Sequence, residues 1–245
     1  MTGSRPPKAA MLVAQRIVRD IGRAGLRPGD LLPPERAMLE TYDTGRGTLR
    51  EALRLLEFQG VIALKPGPGG GPILMNPAAT HLAGSLQLLM QLNQAPYRDI
   101  VAARAVLEPV ISGLAAGRIG PESLAELAAS LTRMRENIGD TDWFRDSGRR
   151  FHQVIAWSAG NVLFAYIVDA LLGILDGTVI GADDPGDRRA AVLGAHEEIY
   201  AAIAGRDAAA AEQRMREHID AYARHAQRGY PGTLDRTVTW DRLHA

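Results

Sequence analysis

The stretch LREALRLLEFQGVIALKPGPGGGPIL, residues 49–74, changes its hydrophobic periodicity part-way along. Its first half places apolar side chains at a helical spacing, at Leu49, Ala52, Leu53, Leu56 and Phe58. Gly60 follows, and glycine is the residue type that most often ends a helix. The second half holds two short apolar runs on either side of a loop rich in glycine and proline, which predicts a pair of short strands. The stretch therefore predicts an amphipathic helix followed directly by a β-hairpin.

The residues before this stretch predict two more helices. Residues 9–24 carry apolar side chains at helical spacing. A turn-rich connector, LRPGDLLPPER at 26–36, runs from this helix into a short one at about 34–41. A tight break, YDTGRG at 42–47, then leads into the helix of the opening stretch. Three helices and a hairpin predict that residues 1–75 form a winged helix-turn-helix domain.

Residues 76–229 predict an all-helical domain, because strand signals are nearly absent there. The apolar periodicity indicates helices at about 77–93, 97–118, 121–138, 141–159, 161–177, 188–205 and 207–228. Start and stop signals bound several of them: Pro121, Thr141 with Asp142, and Asp207 at the starts, and Gly160, Gly177 and Gly205 at the stops. The predicted fold class is therefore mainly α, with an N-terminal winged helix-turn-helix and a C-terminal bundle of six to seven helices. We expect an irregular tail at 230–245.

Composition excludes several classes of protein. The chain of 245 residues contains no cysteine, so disulfides, zinc–thiolate sites and thiol nucleophiles are excluded. No segment resembles a signal peptide and no run approaches about 18 apolar residues, so we expect a cytoplasmic protein without a membrane partner. The net charge is zero, but residues 1–75 carry 11 basic and 7 acidic side chains, and the remainder 17 and 21. A basic N-terminal third suggests a domain that faces a polyanion.

The predicted third helix has the features of a DNA-recognition helix, whose first turn enters the major groove. Arg46 and Arg50 lie four residues apart and share one face. Arginine binds a guanine edge or a phosphate through two hydrogen bonds. Thr48 adds a hydroxyl, and Arg36 on the preceding helix is within reach of the DNA backbone. The alternative for each arginine is a solvated side chain that binds nothing.

The segment PGDLLPPERAMLETYDTGRGTLREALRLLEFQGVIALKPGPGGG, residues 28–71, resembles the winged-helix domain of the GntR superfamily of bacterial transcription regulators. The resemblance implies a homodimer that binds a palindromic, double-stranded DNA operator. It also implies DNA contacts by Arg36, Gly45, Arg46, Thr48, Arg50 and Gly67. The family usually has serine or threonine where Gly45 stands and commonly threonine at Gly47. These glycines loosen the start of the helix, and Thr44 is an alternative cap.

Three further segments resemble the helical FCD domain of the FadR subgroup: DIVAARAVLEPVISGLAA at 99–116, FHQVIAWSAGN at 151–161 and HEEIYAAIAGRDAAAAEQRMREHI at 196–219. In that subgroup a small carboxylate, or in a few members an acyl-CoA, binds inside the bundle and alters DNA binding. The resemblance implies that Arg104 binds the effector carboxylate, although Glu108 at i+4 is a competing partner. Asn161 either caps the helix that it begins or reaches the effector.

Three histidines lie on the apolar faces of separate predicted helices: His152, His196 and His218. One inward histidine is most often a packed core residue, but three in one bundle favour a site. Neutral imidazoles that converge suit zinc, nickel or a similar divalent ion. The family pattern adds an aspartate one turn before the first histidine, and here that position is Gly148. Asp146 is nearby but lies about 200° further round the helix.

Two outcomes follow from the missing aspartate. Either a three-histidine metal site persists, completed by water and by the carboxylate of the effector, or the metal is lost and the histidines bind an anionic effector directly. The resulting hypothesis is a DNA-binding regulator, most simply a repressor, that responds to a small carboxylate. The alternatives are a metal-free regulator that binds an acyl-CoA or another anion, and a three-histidine metal-dependent hydrolase.

Overall fold

The computed structural model describes residues 9–67, 70–76, 78–176, 178 and 186–240. The chain forms two compact units, which divide between His81 and Leu82; the sequence indicates the boundary at 75/76. The first unit is a helix-turn-helix with a two-stranded antiparallel hairpin, and the second is all-helical. The fold class predicted from the sequence is therefore confirmed.

The first unit contains three helices and two strands among its described residues. They are α1 (Ala9–Ala24), α2 (Glu35–Tyr42), α3 (Arg46–Phe58), β1 (Ile62–Lys65) and β2 (Gly71–Leu74). Its core consists of apolar side chains from all three helices and the hairpin, among them the fully buried Ile17, Met38, Leu49, Leu53 and Ile62. This core fixes α3 against α1 and the hairpin.

The prediction that Phe58 lies on the inner face of α3 is wrong. Phe58 is 77% exposed, whereas Leu49, Ala52, Leu53 and Leu56 are buried. Phe58 lies two residues beyond Leu56, and two residues rotate a helix by about 200°, so the two side chains point to opposite sides.

Gly60 ends α3 as the sequence predicts. Its φ of +67° lies in the left-handed region that favours glycine. A Cβ atom at this position would lie 2.3 Å from Nε2 of His81, which is inside van der Waals contact. Glycine is therefore required here both by the backbone conformation and by the close approach of the imidazole ring.

The hairpin forms the predicted wing. Ile62 pairs with Leu74 and Lys65 with Gly71 in an antiparallel register. The connector also contributes extended backbone, because Leu31 forms an isolated bridge with Ile73. Two residues of the wing loop, Pro68 and Gly69, lie outside the described part of the chain.

In the described part of the chain, eight further helices follow. They are α4 (Thr80–Leu92), α5 (Tyr97–Arg118), α6 (Pro121–Glu136), α7 (Thr141–Ser158), α8 (Val162–Asp176), α9 (Gly186–Ala204), α10 (Ala208–Gly229) and α11 (Pro231–Leu234). Helix α5 contacts α7, α8, α9 and α10 and is the central helix of the bundle. By length and composition alone α5 is apolar enough to cross a membrane. Half of its most apolar stretch, however, is buried inside the bundle. This burial is typical of the core helix of a helical domain.

The start of one helix differs from the sequence prediction. Asp140, rather than Thr141 or Asp142, is the N-cap of α7, and its carboxylate accepts from two backbone N–H groups at 3.1 Å. Asp207 caps α10 as predicted. The predicted stop at Gly177 lies outside the described residues.

The tail contains one helical turn, α11, where the sequence suggests irregular structure. Thr237 then forms a bridge with Pro96. Leu234 and Val238 are almost fully buried. These two apolar side chains explain the order of the segment, because their burial holds the tail against the beginning of α5. Residues 241–245 lie outside the described part.

Candidate functional site

The start of α3 presents a basic, exposed surface. Arg46 and Arg50 are exposed on the first turns, and Thr48 is partly buried. The Nε atom of Arg50 lies 3.6 Å from Oε2 of Glu35, and both side chains are exposed. Such an exposed ion pair is weak, so Arg50 can exchange Glu35 for a DNA phosphate. Gly45 is the N-cap and has no side chain to bond the first turn, and Thr44 does not replace it. The free N–H groups of this turn can bind an anion.

Two further residues of the predicted DNA surface are also exposed. Arg36 on α2 lies 3.9 Å from Glu40 on the same helix, with both side chains largely in solvent. Gly67 begins the wing loop with a φ of +96°, a conformation that glycine adopts without strain. The predicted DNA-binding residues within the described range are thus accessible to a ligand.

The second unit brings the three histidines together. His152 lies on α7, His196 on α9 and His218 on α10, and all are at least nine-tenths buried. The Nε2 atom of His218 lies 3.1 Å from Nε2 of His196 and 3.3 Å from Nε2 of His152. The convergence that the helical spacing suggests is therefore present in the tertiary structure.

Glu108 on α5 orients the first histidine. Its Oε2 atom lies 2.5 Å from Nδ1 of His152, and its Oε1 atom accepts from Nε of Arg104. Burial raises the pKa of Glu108, but the charges of Arg104 and His152 outweigh it and hold the pKa far below the ordinary value. Because the carboxylate is ionised, Nδ1 of His152 donates. In the neutral ring the lone pair is then on Nε2, which faces the other histidines.

The other two histidines are held in the form that binds metals. Burial lowers the pKa of both His196 and His218 well below the ordinary value, and the neighbouring His152 and Arg104 lower it further. Nδ1 of His196 lies 3.3 Å from Sδ of Met134, a weak acceptor. With this nitrogen as the donor, Nε2 of His196 also carries a lone pair.

The donor set fits a divalent metal. A metal with bonds of about 2.0–2.1 Å to imidazole in tetrahedral geometry separates its nitrogen ligands by about 3.3–3.4 Å, close to the two separations between Nε2 of His218 and the other histidines. Without a cation, the Nε2 atom of His218 faces two ring nitrogens and can form a good hydrogen bond with only one of them. The residues that would hold the metal are His152, His196 and His218.

Gly148 faces this cluster from α7. A Cβ atom at this position would lie 3.7 Å from Cε1 of His196 and 3.7 Å from the methyl carbon of Met134, both ordinary contacts. The position that the family pattern fills with aspartate therefore faces His196, and there is room for a Cβ atom. Asp146, by contrast, is exposed on the outside of the bundle.

A cavity of about 150 Å³ lies beside the histidines. All three histidines line it, together with Arg104, Gly148 and Tyr222. Sequence reasoning missed the other charged residues of its wall: Arg145, Arg149, Asp176, Arg188 and Arg189. Of the described residues that line the cavity, five are arginines and one is a carboxylate, so the cavity suits an anion.

The two predicted effector residues have different positions. Arg104 lines the cavity, but it forms the buried ion pair with Glu108 that the i+4 spacing allows, and its guanidinium lies 5.3 Å from the ring centre of Tyr222. Asn161 is exposed and is not among the residues that line the cavity. Its Oδ1 accepts from the N–H of Leu163 at 3.0 Å, so Asn161 has the capping role that was one of its two options.

Comparison with known proteins explains why these two units occur in one chain. Residues 10–70 match the family of bacterial regulatory proteins called gntR, and residues 99–221, half of the chain, match the FCD domain. The chain belongs to the GntR family. It is a DNA-binding transcriptional regulator of the GntR/FCD type.

Individual GntR relatives support this assignment over most of the chain. The HTH-type transcriptional regulator YcbG of Bacillus subtilis is 30% identical over 86% of this chain and 86% of its own length. The transcriptional repressor NanR of Cronobacter sakazakii is 27% identical over 69% of this chain and 67% of its own. The solved structure of a Streptococcus agalactiae GntR protein superposes with a TM-score of 0.67 at 26% identity, covering 88% of this chain and 99% of that one.

The family and these relatives are transcriptional regulators and not enzymes. The hypothesis of a three-histidine hydrolase therefore has no support from the comparisons. In a GntR regulator with an FCD domain, the histidine cluster belongs to the regulatory unit and the exposed face of α3 to the unit that binds DNA.

Proposed function

We propose that this GntR-family protein is a repressor of the FadR subgroup that acts in the cytoplasm. It binds a palindromic operator as a homodimer, and a small carboxylate in the FCD domain changes its affinity for DNA. A two-fold symmetric dimer presents two recognition helices about one DNA turn apart, which is the geometry that a palindrome requires. That a relative, NanR of Cronobacter sakazakii, is named a repressor supports the sign of the regulation.

We assign the DNA contacts to exposed and partly exposed residues at the start of α3, on α2 and at the wing. They are Arg36, Gly45, Arg46, Thr48, Arg50 and Gly67. Arg46 and Arg50 carry the largest share, because both can bind a guanine edge or a phosphate through two hydrogen bonds. The uncapped first turn of α3 adds N–H donors for a phosphate.

The observation that carries the regulatory proposal is the convergence of three histidine nitrogens at the wall of an arginine-lined cavity. We propose that His152, His196 and His218 hold a divalent metal, with zinc or nickel the best match to an all-imidazole donor set. When bound, the metal supplies an open coordination position for a carboxylate. Glu108 fixes the ring of His152, and Arg104 adds positive charge at the wall of the cavity.

The size of the cavity favours a small effector. The cavity has a volume of about 150 Å³, comparable with that of a protein cavity that holds a benzene molecule. A cavity of this volume is far too small for an acyl-CoA. Direct binding of the anion by the histidines without a metal is the competing proposal. It predicts that a chelator leaves effector binding unchanged.

Metal analysis of the purified full-length protein tests the metal proposal. We expect close to one divalent ion per chain, and loss of that ion in a His196→Ala variant. Thermal unfolding against a panel of small carboxylates, with and without a chelator, then tests the effector. If a carboxylate stabilises the protein and the chelator abolishes this stabilisation, the metal-dependent proposal is supported. Stabilisation that persists supports direct binding, and no metal in the protein as isolated or after reloading contradicts the metal site.

Gel-shift titration with DNA from upstream of the protein's own gene tests the operator proposal. The double variant Arg46→Ala, Arg50→Ala is expected to lose the specific shift. If both contacts are to phosphates, the slope of log K against log salt falls by about 0.9 for each. Arg23→Ala is the matched control, because Arg23 is an exposed arginine of α1 that pairs only weakly with Asp20. Equal binding by the double variant and the control would contradict the assignment.

A further inference from the structure

The cavity of the FCD domain has two chemically different ends. One end holds the three histidines with Arg104 and Tyr222. The other is formed by the beginnings of α7 and α9 and the end of α8, and its polar lining residues are Thr141, Arg145, Arg149, Asp176, Arg188 and Arg189. Neither the proposed metal nor Arg104 accounts for this second end.

The arginine end and the histidine end are joined by a repeated spacing. Arg145 precedes His152 by seven residues on α7, and Arg189 precedes His196 by seven residues on α9. Seven residues are two helical turns, about 10 Å, so each helix presents an arginine and a histidine to the same cavity. The Nη1 atom of Arg189 donates to Oγ1 of Thr141 at 2.7 Å, one turn before Arg145, so the two arginines lie at the same end.

The charges at this end do not balance within the described residues. Arg149 has two carboxylate partners, Asp176 at 2.6 Å and Asp169 at 3.1 Å. Arg145 donates to a backbone carbonyl, and Arg189 donates to a hydroxyl. In the described part of the protein no carboxylate forms an ion pair with either of these two, and the buried Nε atoms of Arg149 and Arg189 have no hydrogen-bond partner. Partly buried cations with spare donors are the groups that bind a carboxylate through two hydrogen bonds.

We propose that the effector is a dicarboxylate, with one carboxylate at the histidine cluster and the second between Arg145 and Arg189. This inference rests on the proposed function, in which the cavity is the effector site. The volume of about 150 Å³ limits the ligand to roughly four or five carbons. Gly148 lies between the two ends on α7, and its lack of a side chain leaves room for the ligand to extend from one to the other. A monocarboxylate would leave Arg145 and Arg189 without a carboxylate partner among the described residues.

Calorimetric titration of the metal-loaded full-length protein tests the proposal with two matched pairs of acids. Succinate is compared with butyrate, and glutarate with valerate, because the acids in each pair have the same chain length and differ in one carboxylate. We expect each dicarboxylate to bind about tenfold tighter or more, since charge-assisted hydrogen bonds to arginine are about twice as strong as neutral ones. Arg145→Gln and Arg189→Gln should each reduce this ratio towards one and leave the monocarboxylate affinity within about threefold.

Arg228→Gln is the matched control, because Arg228 is exposed on α10 and, among the described residues, its side chain donates to a carbonyl of its own helix. It should retain the wild-type ratio. Equal binding of succinate and butyrate by the wild type, or an unchanged ratio in both glutamine variants, overturns the dicarboxylate inference and leaves the cavity as the effector site. Failure of all four acids to bind also overturns the small-carboxylate effector site of the proposed function, whereas DNA binding is tested separately by the gel shift. If a glutamine variant does not fold, the lysine variant at the same position replaces it; loss of the two-bond geometry should still lower the ratio severalfold.

Discussion

Restoring a carboxylate at position 148 should strengthen metal binding. Gly148 lies one turn before His152, and a Cβ atom there makes only ordinary contacts with His196 and Met134, so the first side-chain atom of Gly148→Asp displaces no neighbour. The new carboxylate would face the histidine cluster across a cavity lined by five arginines. A fourth, anionic ligand changes a three-imidazole site into a complete tetrahedral set.

The size of the effect follows from linkage between metal binding and folding. Even the groups that only hydrogen-bond to metal ligands contribute about ten- to hundredfold in affinity, and a direct ligand should contribute at least as much. This gain corresponds to about 1.4–2.8 kcal/mol of added stability when free metal exceeds Kd in both proteins. Since a domain of this size shifts by about 2–4 °C per kcal/mol, the thermal midpoint should rise by about 3–11 °C.

The assay is thermal unfolding of Gly148→Asp, Gly148→Asn and wild type, each with zinc and with a chelator, together with a competition titration for metal affinity. Asparagine has nearly the same helix propensity as aspartate and a similar volume, so it isolates the effect of the charge. The zinc-dependent part of the shift should be larger in the aspartate variant alone. An equal shift in the asparagine variant, or one that persists in chelator, would refute the reasoning.

Three further substitutions test other parts of the structure. Glu108→Gln leaves Arg104 buried without a counter-charge and should lower the free energy of unfolding by about 3–5 kcal/mol by chemical denaturation. Adding Arg104→Gln should recover part of that loss, and no recovery would show that the ion pair is not its cause. Gly60→Ala should cost more than about 1 kcal/mol, because the residue has a positive φ and the methyl group would overlap His81; unchanged stability would contradict this geometry. Asp207→Ala removes the cap of α10 and should cost about 1 kcal/mol, whereas Asp207→Asn should cost little.

The helices of this protein could be predicted closely from the sequence. The helices predicted at 97–118 and 121–138 agree with α5 (Tyr97–Arg118) and α6 (Pro121–Glu136) to within two residues. The errors are local. Phe58 was counted as an inner residue although it faces solvent, and Asp140 caps α7 one residue earlier than expected. Phe58 faces solvent because it lies about 200° round the helix from Leu56, and the cap differs because sequence signals place a helix end only to within one or two residues.

The candidate site was only partly predictable. The sequence indicates His152, His196 and His218 because each lies on an apolar helix face. A polar imidazole buried there requires a hydrogen-bond partner or a ligand. Glu108 was expected only as a partner of Arg104, and its contact with His152 joins residues 44 positions apart. No local pattern encodes such a contact.

The sequence by itself therefore determined the two-unit fold, the family and the three inward histidines, because helical periodicity and a specific motif are local properties of the chain. The tertiary structure decided which nitrogens of the histidines meet, that Glu108 orients one of them, and that Gly148 faces the cluster. It also decided that Arg145 and Arg189 line one end of a shared cavity. These features depend on how α5, α7, α9 and α10 pack against one another, and packing fixes distances between residues that are remote in the sequence.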